Sequence, residues 1–269
     1  MQDKNIDYIV LSEGEERLPK LLKAIDADKG FEDIDGLCYR VDGEWRVQPH
    51  TGIGIEDLDT LPWPDYSDFD MSRYLNWTQR YTQNFQFQQL PVGLMMTSRG
   101  CPYKCTFCQV PVMFDGVRLR SPDSLVKELA LYKEEYAVES MYFRDDILFR
   151  PEKLAKAFAE ASLDLKWSCL LRADMMTKRT LEAMREGGCA QIRVGFESGD
   201  DAVLDEMKKQ TTVNDNARCI HLAREAGIDI SGFLIVGLPG ETTICTARGV
   251  VVLEGSAGRG AGGGLKLED

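Results

Sequence analysis

The sequence predicts an α/β fold built around a parallel sheet, and two observations support this. Apolar runs of strand length recur at residues 92–97, 138–143, 165–171, 190–196 and 228–236. Segments with helical spacing of apolar residues separate these runs. Because strands that alternate with helices pair in parallel, the repeat indicates either a doubly wound sheet or a barrel with about five β/α units.

The first element of the chain is predicted to be a short buried strand over residues 6–11. A turn follows at Ser12–Glu16, and Leu18, Leu21 and Leu22 begin a helical pattern that Ile25 continues. Residues three and four apart lie on one side of a helix, so this pattern predicts an apolar helix face.

A β-hairpin and a linker come next. Residues 37–41 and 44–47 flank Asp42-Gly43, which is a strong signal for a two-residue hairpin turn. Residues 56–70 contain two prolines and many aspartates. This composition predicts an extended linker that is solvated by its charge.

Capping residues and glycines predict where the helices of the β/α repeat begin and end. Ser121 is a suitable N-cap followed by Pro122, and Pro151 similarly opens the next helix. A third helix is predicted to end at Gly187, and a fourth is predicted to end at Gly227.

Composition excludes several functional classes. The chain has 269 residues and a net charge of −12, and residues 1–80 hold 18 acidic against 9 basic residues. This balance disfavours a nucleic-acid partner, because phosphate binding requires clustered Lys and Arg. No apolar run approaches the roughly 20 residues that span a bilayer. The N-terminus lacks the features of a secretory signal, which predicts a cytoplasmic protein with reduced thiols.

Three cysteines carry the sharpest signal for chemistry. Cys101, Cys105 and Cys108 are spaced CxxxCxxC directly after the first strand of the repeat. Active sites of parallel α/β folds lie at the carboxyl ends of strands, and thiolates select iron–sulfur clusters or zinc. Half of a zinc site, or a chance grouping, is the alternative interpretation. The remaining cysteines are predicted to be small core residues: Cys38, Cys169, Cys189, Cys219 and Cys245.

The segment SRGCPYKCTFC resembles the signature loop of the radical S-adenosylmethionine (SAM) superfamily. The resemblance implies a partial (β/α)6 radical SAM barrel. It also implies that Cys101, Cys105 and Cys108 hold a [4Fe–4S] cluster whose fourth iron chelates SAM. Reductive cleavage of SAM would then give a 5′-deoxyadenosyl radical, with Phe107 near the adenine.

Further strand-end motifs agree with this resemblance, and each implies a cofactor contact. Asp146 in FRDD would lie near the SAM amine, although acids that simply cap the following turn are the alternative. Arg172 would pair with the SAM carboxylate or instead balance Asp174. Glu197 and Ser198 end the fourth strand, where related families contact the ribose or amine. A glycine-rich fifth strand end, with Gly237, resembles the adenine-contacting strand.

The first part of the chain indicates the subgroup. It contains IDYIVLSEGEERLPKLLKAI, IDGLCYRVDGEWRVQP and LDTLPWPDY, which resemble the end and connector of a cobalamin-binding domain. This arrangement is typical of B12-type radical SAM proteins similar to the anaerobic magnesium-protoporphyrin ester cyclases. The DxHxxG loop that supplies the cobalt ligand is missing, so this chain does not itself support a cobalamin site.

These patterns predict four segments and a chain that is truncated at both ends. Residues 1–30 are expected to be the C-terminal remnant of an α/β cobalamin-binding-like domain, and residues 31–90 a connector. Residues 91–245 would form the radical SAM core, and residues 246–269 a flexible glycine-rich tail.

The predicted function is that of a radical SAM enzyme acting on a small organic substrate by methylation or oxidative rearrangement. An external one-electron reductant such as flavodoxin or ferredoxin is implied, and neither a nucleic-acid partner nor a membrane span is expected. One alternative is a tRNA methylthiotransferase-like enzyme, which the acidic balance and the lack of an upstream three-cysteine set disfavour. The other alternative is a non-catalytic, metal-stabilised fragment.

Overall fold

The computed structural model describes residues 5–50, 54–75, 91–114 and 116–242. Cys245 and the predicted tail therefore lie outside the described residues. Residues 5–50 form what we call the N-terminal module. Its elements are β1 (Tyr8–Val10), α1 (Arg17–Asp26), β2 (Leu37–Val41) and β3 (Glu44–Val47).

The N-terminal module is a three-stranded antiparallel sheet with one helix. β1 pairs with β2, and β2 pairs with β3 through the hairpin that the sequence predicts. Asp42 and Gly43 have φ values of 50° and 83°, the left-handed backbone that a two-residue hairpin turn requires.

The predicted burial of this module is wrong in two places. Tyr8 on β1 is 38% exposed, although the strand was expected to be buried. Leu18, Leu22 and Ile25 are exposed on α1, whereas Leu21 is buried. The physical reason is size, because the small core of the module covers only one narrow stripe of the helix. This core consists of Leu21, Ala24, Ile34, Leu37 and Tyr39.

The segment between the module and the parallel sheet is docked rather than merely solvated. A 3-10 turn spans Leu58–Thr60, and Leu58 is buried. Asp59 accepts hydrogen bonds from the Ser121 main-chain nitrogen, at 3.1 Å to each carboxylate oxygen. The Tyr66 ring packs edge-on against Tyr132. The linker prediction missed these contacts because single anchoring side chains leave no periodic signal.

The rest of the described chain alternates strands and helices. Its elements are β4 (Val92–Met95), β5 (Ser98–Arg99), α2 (Val110–Met113), β6 (Arg118–Leu119), α3 (Pro122–Tyr136), β7 (Ser140–Phe143), α4 (Pro151–Glu160), β8 (Lys166–Leu171), α5 (Lys178–Glu186), β9 (Cys189–Glu197), α6 (Asp201–Glu206), α7 (Val213–Glu225) and β10 (Asp229–Leu234). Helix starts agree with the predicted caps, since Ser121 Oγ accepts from the Ser124 amide at 3.1 Å.

The five long strands form one parallel sheet in the order β10-β9-β8-β7-β4. The predicted α/β class and its five β/α units are thereby confirmed. Each new strand is added on the same side, whereas a doubly wound sheet reverses direction at a switch point. The strand order therefore favours the partial barrel over the doubly wound alternative.

The two faces of this sheet differ in character. The outer face of the sheet carries the fully buried side chains Phe143, Trp167 and Ile192. They belong to the main core, to which apolar residues of the helices also contribute. Because side chains alternate along a strand, the neighbouring positions point to the opposite, inner face. The inner-face positions include Leu94, Tyr142, Ser168, Leu170, Arg193 and Phe233.

Two further expectations concern cysteines and membranes. Cys38, Cys169, Cys189 and Cys219 are buried and unpaired by disulfides, as predicted for small core residues. Within the described ranges, no helix has the length and apolar character needed to span a bilayer.

Candidate active site

The three motif cysteines lie in a loop that follows β4 and β5. Residues 100–109, which we call the cysteine loop, begin directly after β5, and the antiparallel pair β5–β6 lies at the base of this loop. Gly100 has a φ of 86°, and a Cβ atom there would lie 2.0 Å from the Gly116 main-chain oxygen. Glycine is therefore required where the chain enters the loop.

Cys101, Cys105 and Cys108 are all partly exposed and form no disulfide. The Cys108 amide donates to the Cys105 carbonyl at 3.1 Å, which folds the CxxC part into a tight turn. Burial raises the pKa of the Cys101 thiol, and the charges of Cys108, Asp146 and Cys105 raise it further. These groups therefore lie close together in the structure.

This donor set fits an iron–sulfur cluster in its chemistry. Three thiols from one loop supply three soft ligands and leave one cluster iron without a protein ligand. Among the described residues, no three His, Cys, Asp or Glu side chains are grouped as a site for a single metal ion. A cubane cluster holds its sulfur ligands further apart than one ion does.

Asp145 fixes the base of the cysteine loop. One of its carboxylate oxygens accepts from the Thr97 amide at 2.9 Å, from Thr97 Oγ1 at 3.0 Å and from Ser98 Oγ at 2.6 Å. Burial raises the pKa of Asp145 to about 6, although these hydrogen bonds oppose the shift. Its second oxygen is buried without a hydrogen-bond partner among the described residues.

Asp146 rather than Asp145 was the predicted SAM contact, and the structure gives the two carboxyls different surroundings. Asp146 is exposed and close enough to Cys101 for its charge to act on that thiol. Asp145 faces the strand ends and positions the loop instead. The adjacent FRDD letters gave no means of separating these two environments.

Glu13 is a site residue that the sequence analysis missed. It forms buried ion pairs with Arg118, at the second strand of the loop base, and with Arg99 at 3.0 Å. Its Oε2 also accepts from the Ile55 amide at 3.1 Å. The N-terminal module is thus tied to the base of the cysteine loop through one carboxylate.

Arg172 is buried and already engaged. Its Nε lies 3.1 Å from Asp174 Oδ1, and its Nη2 donates to the Lys209 carbonyl at 2.7 Å. The guanidinium carbon also lies 3.5 Å from the ring centroid of Tyr103, within the cysteine loop. The Asp174 alternative is therefore present in the structure, whereas the SAM carboxylate pairing stays a prediction.

Glu197 and Phe107 meet through a residue that was not predicted. Lys209 forms a buried ion pair with Glu197 at 2.7 Å, and its Nζ lies 5.8 Å from the Phe107 ring centroid. The Phe107 side chain remains 40% exposed. Lys209 follows α6 in a region without strand or helix periodicity, so only a search for charge partners of Glu197 would have found it.

Ser198 and Gly237 lie at two neighbouring strand ends. Ser198 is buried, and its Oγ accepts from the Asp200 amide at 3.3 Å. Gly237 has a φ of 89°, and its amide donates to Glu241 Oε2 at 2.5 Å. Both residues belong to the rim where the predicted SAM contacts were expected, but their contact with SAM stays a prediction.

The sequence of this chain matches a known protein family. The sequence profile of the radical SAM superfamily matches residues 95–244. The chain belongs to the radical SAM superfamily. Members of this superfamily use a [4Fe–4S] cluster and SAM, so the resemblance drawn from SRGCPYKCTFC is confirmed.

Two curated relatives cover most of this chain. An uncharacterized methyltransferase of Pyrococcus horikoshii is 29% identical over 243 residues, which is 88% of this chain and 50% of the relative. The anaerobic magnesium-protoporphyrin IX monomethyl ester cyclase of Cereibacter sphaeroides is 31% identical over 253 residues, covering 88% of this chain and 39% of the cyclase. The chain thus spans half or less of each relative.

A solved structure has a similar fold. TsrM from Kitasatospora setae, a radical SAM methyltransferase crystallised with tryptophan and a SAM analogue, gives a TM-score of 0.76 at 18% identity. The match covers 94% of this chain and 50% of TsrM. TsrM crystallised with cobalamin and a [4Fe–4S] cluster gives a TM-score of 0.73. At this identity the likeness supports the fold.

Proposed function

We propose that this chain forms the catalytic core of a radical SAM enzyme that acts on a small organic substrate. The observation that carries this proposal is the grouping of Cys101, Cys105 and Cys108 in one loop at the carboxyl end of a parallel sheet. Family membership gives that grouping its meaning, because a three-thiol loop is the cluster-binding element of the superfamily.

The residues in and around this loop would have different roles in binding the cluster and SAM. Cys101, Cys105 and Cys108 would hold the [4Fe–4S] cluster, and Phe107 would face the adenine of SAM. When bound, the cluster and SAM supply a 5′-deoxyadenosyl radical that abstracts hydrogen from the substrate. The remaining proposed SAM contacts are Asp146, Arg172, Glu197, Ser198 and Gly237.

Existing pairings shape these roles. Arg172 braces Tyr103 in the cysteine loop, and Lys209 neutralises Glu197 beside Phe107. A SAM carboxylate at Arg172 would share the guanidinium with Asp174, and a SAM amine at Glu197 would share the carboxylate with Lys209. The site therefore offers balanced charges to a zwitterionic ligand.

Methylation or oxidative rearrangement is the proposed reaction class. An uncharacterized methyltransferase and a magnesium-protoporphyrin IX monomethyl ester cyclase are both similar to this chain over 88% of its length. TsrM binds cobalamin as well as a cluster. Cobalamin belongs to this proposal only for a longer protein of the family, and no residue of this chain is proposed as a cobalt ligand. An external one-electron donor such as flavodoxin or ferredoxin would reduce the cluster.

Anaerobic reconstitution tests the proposal. Wild-type protein is incubated with iron and sulfide, then given SAM and dithionite, and we expect cluster absorption followed by release of 5′-deoxyadenosine. Replacing Cys105→Ala should abolish both signals, because one of three cluster ligands is lost. The matched control Cys219→Ala removes a buried thiol in α7 and should keep both signals.

Two results would contradict the proposal. Stoichiometric zinc without cluster absorption would assign the cysteines to a structural metal site. Equal cluster formation by wild type and Cys105→Ala would remove Cys105 from the ligand set. A third variant, Cys108→Ala, should also lose the cluster. It checks the ligand set in case another residue replaces Cys105 as a ligand in Cys105→Ala.

A further inference from the structure

We propose that Arg144 and Arg193 form a binding subsite for an anionic group of the substrate, a carboxylate or a phosphate, on the inner face of the parallel sheet. This inference rests on the proposed function, because it assigns a substrate class to the same enzyme. The two guanidinium groups meet at one side chain, Tyr142, which lies on β7 between them.

The geometry holds two positive charges together. Arg193 Nη1 donates to the Tyr142 hydroxyl at 2.9 Å, and Arg144 Nη1 donates to the same oxygen at 3.3 Å. The two Nη1 atoms are therefore at most about 6 Å apart, because their separation cannot exceed the sum of these distances. Two guanidinium groups at this spacing can both donate hydrogen bonds to one carboxylate or phosphate.

Aromatic rings support both guanidinium groups. Each guanidinium carbon lies 5.0 Å from the Tyr142 ring centroid, and that of Arg193 lies 5.7 Å from the Phe233 ring. Stacking on rings orients the planar guanidinium and leaves its edge for hydrogen bonding. An arginine held in this way is suited to a carboxylate or phosphate, which it binds through two parallel hydrogen bonds.

The surroundings distinguish Arg144 from its neighbours. Arg144 lines a cavity of about 870 Å³ whose other charged residues are Arg99, Arg120, Glu15, Glu16 and Glu128, and Arg193 is not part of this lining. Arg99 pairs with Glu13 and Glu15, and Arg120 pairs with Glu128 at 2.5 Å. Among the described residues no carboxylate forms an ion pair with Arg144, which is exposed. Arg144 is thus the cation of this cavity that a ligand can reach.

The position agrees with a substrate role. Arg144 follows β7 and precedes Asp146 by two residues, and Asp146 lies near Cys101. Arg193 lies on β9 four residues before Glu197, or about 13 Å along the strand. The subsite therefore extends from the rim, at Arg144, into the inner face of the sheet, at Arg193. Leu94 and Phe233 are 51% and 43% exposed on the same face, and they offer apolar contacts to the body of the ligand.

Binding of three naphthalene probes tests the subsite. The probes are 2-naphthoate, 2-naphthyl phosphate and neutral 2-naphthalenemethanol, and their affinities are measured by isothermal titration calorimetry. Wild-type protein should bind the two anions more tightly than the alcohol. The variant Arg144→Gln should weaken binding of the anions by about 10-fold or more, whereas Arg144→Lys should recover part of the loss. Affinity for the alcohol should not change.

A matched variant controls for overall charge. Arg46→Gln removes the same charge from the exposed face of β3, and it should leave the affinity for all probes unchanged. The proposal is overturned if wild type binds anion and alcohol equally, or if both variants weaken anion binding to the same extent. Preference for phosphate over carboxylate, or the reverse, identifies the ligand group within the proposed class.

The test is independent of the proposed function. Probe binding requires neither cluster nor SAM. Failure of probe binding would therefore reject the anion subsite and say nothing about deoxyadenosine formation. Absence of deoxyadenosine with intact probe binding would reject the radical chemistry alone. Circular dichroism of each variant confirms that loss of binding reflects the side chain and not unfolding.

Discussion

In the parallel sheet, Phe143 stacks on Phe158 with ring centroids 5.6 Å apart, and Trp167 packs edge-on against both rings. In the N-terminal module, by contrast, the core is small, and Glu13 and Glu15 of the module pair with Arg99 and Arg118 at the base of the cysteine loop. One region is therefore stabilised by continuous apolar packing, and the other is attached to it by a few buried ion pairs.

This difference places the cysteine loop between two kinds of support. Its base is held on one side by Asp145, which extends from the packed sheet, and on the other by Glu13 from the module. Removal of the Asp145 carboxylate would weaken the contact between the cysteine loop and the parallel sheet. Removal of the Glu13 carboxylate would release the module, while the sheet would keep its packing.

The largest predicted effect comes from Glu13→Gln. The substitution leaves the buried Arg118 and the partly buried Arg99 without their shared carboxylate, and breaking a buried pair in this way costs about 3 kcal/mol of stability. Hydrogen exchange should show faster exchange of amides in β1, β2 and β3, with little change in β7 to β9. The control Glu16→Gln alters an exposed carboxylate of the same turn and should have no such effect.

A uniform rise in exchange across both regions would contradict the comparison, because it would mean that module and sheet unfold as one unit. In that case the free energy of unfolding would fall equally for every protected amide. Protection that changes only near β5 and β6 would also contradict it, since Glu13 would then act on the loop alone.

The same contrast explains what could be predicted from the sequence. The strands of the parallel sheet were located within a few residues, because buried strands of about six apolar residues alternate with capped helices. The three cysteines were found by their spacing. Periodicity alone left a barrel and a doubly wound sheet open, the superfamily resemblance implied a partial barrel, and the strand order agrees with that barrel.

Long-range charge pairs could not be predicted in the same way. Glu13 and Arg118 are 105 residues apart, and Glu197 and Lys209 are separated by a turn and a short helix. No period in the sequence links such partners. The exposure of Leu22 could not be predicted either. The helical pattern of α1 shows which residues share a side, but it does not show how much of that side the small core of the module covers.

A smaller effect is expected from acid, which should act on the two supports with opposite sign. Burial alone would raise the pKa of Glu13, but the hydrogen bond and charge of Arg118 and the charge of Arg99 outweigh it and lower the pKa below 4.5. The stability that Glu13 contributes is present above pH 4.5 and is lost as the pH falls through its lowered pKa. Protonation removes the same negative charge as Glu13→Gln, so the loss in acid should be no larger than in that variant.

Asp145 behaves in the reverse way. Burial raises its pKa from 3.8 to about 6, so its contribution is fully present below pH 3.8 and is lost as the pH rises through 6. Hydrogen exchange between pH 7 and pH 3, corrected for intrinsic rates, should therefore show the module loosening while protection at Thr97 and Ser98 is kept or increased. Loss of protection at Thr97 before the module loosens would invert this order.

The smallest effect is expected at the exposed side of α1. Leu22 is 53% exposed, so Leu22→Gln should change the free energy of unfolding by no more than about 0.5 kcal/mol, measured by urea denaturation. The neighbouring Leu21→Ala is the matched comparison, because Leu21 is 3% exposed and its truncation should cost about 2–3 kcal/mol. Equal losses would show that both leucines are covered in solution and that the predicted apolar face is real. A larger loss for Leu21→Ala would confirm that only one stripe of α1 packs on the core of the module.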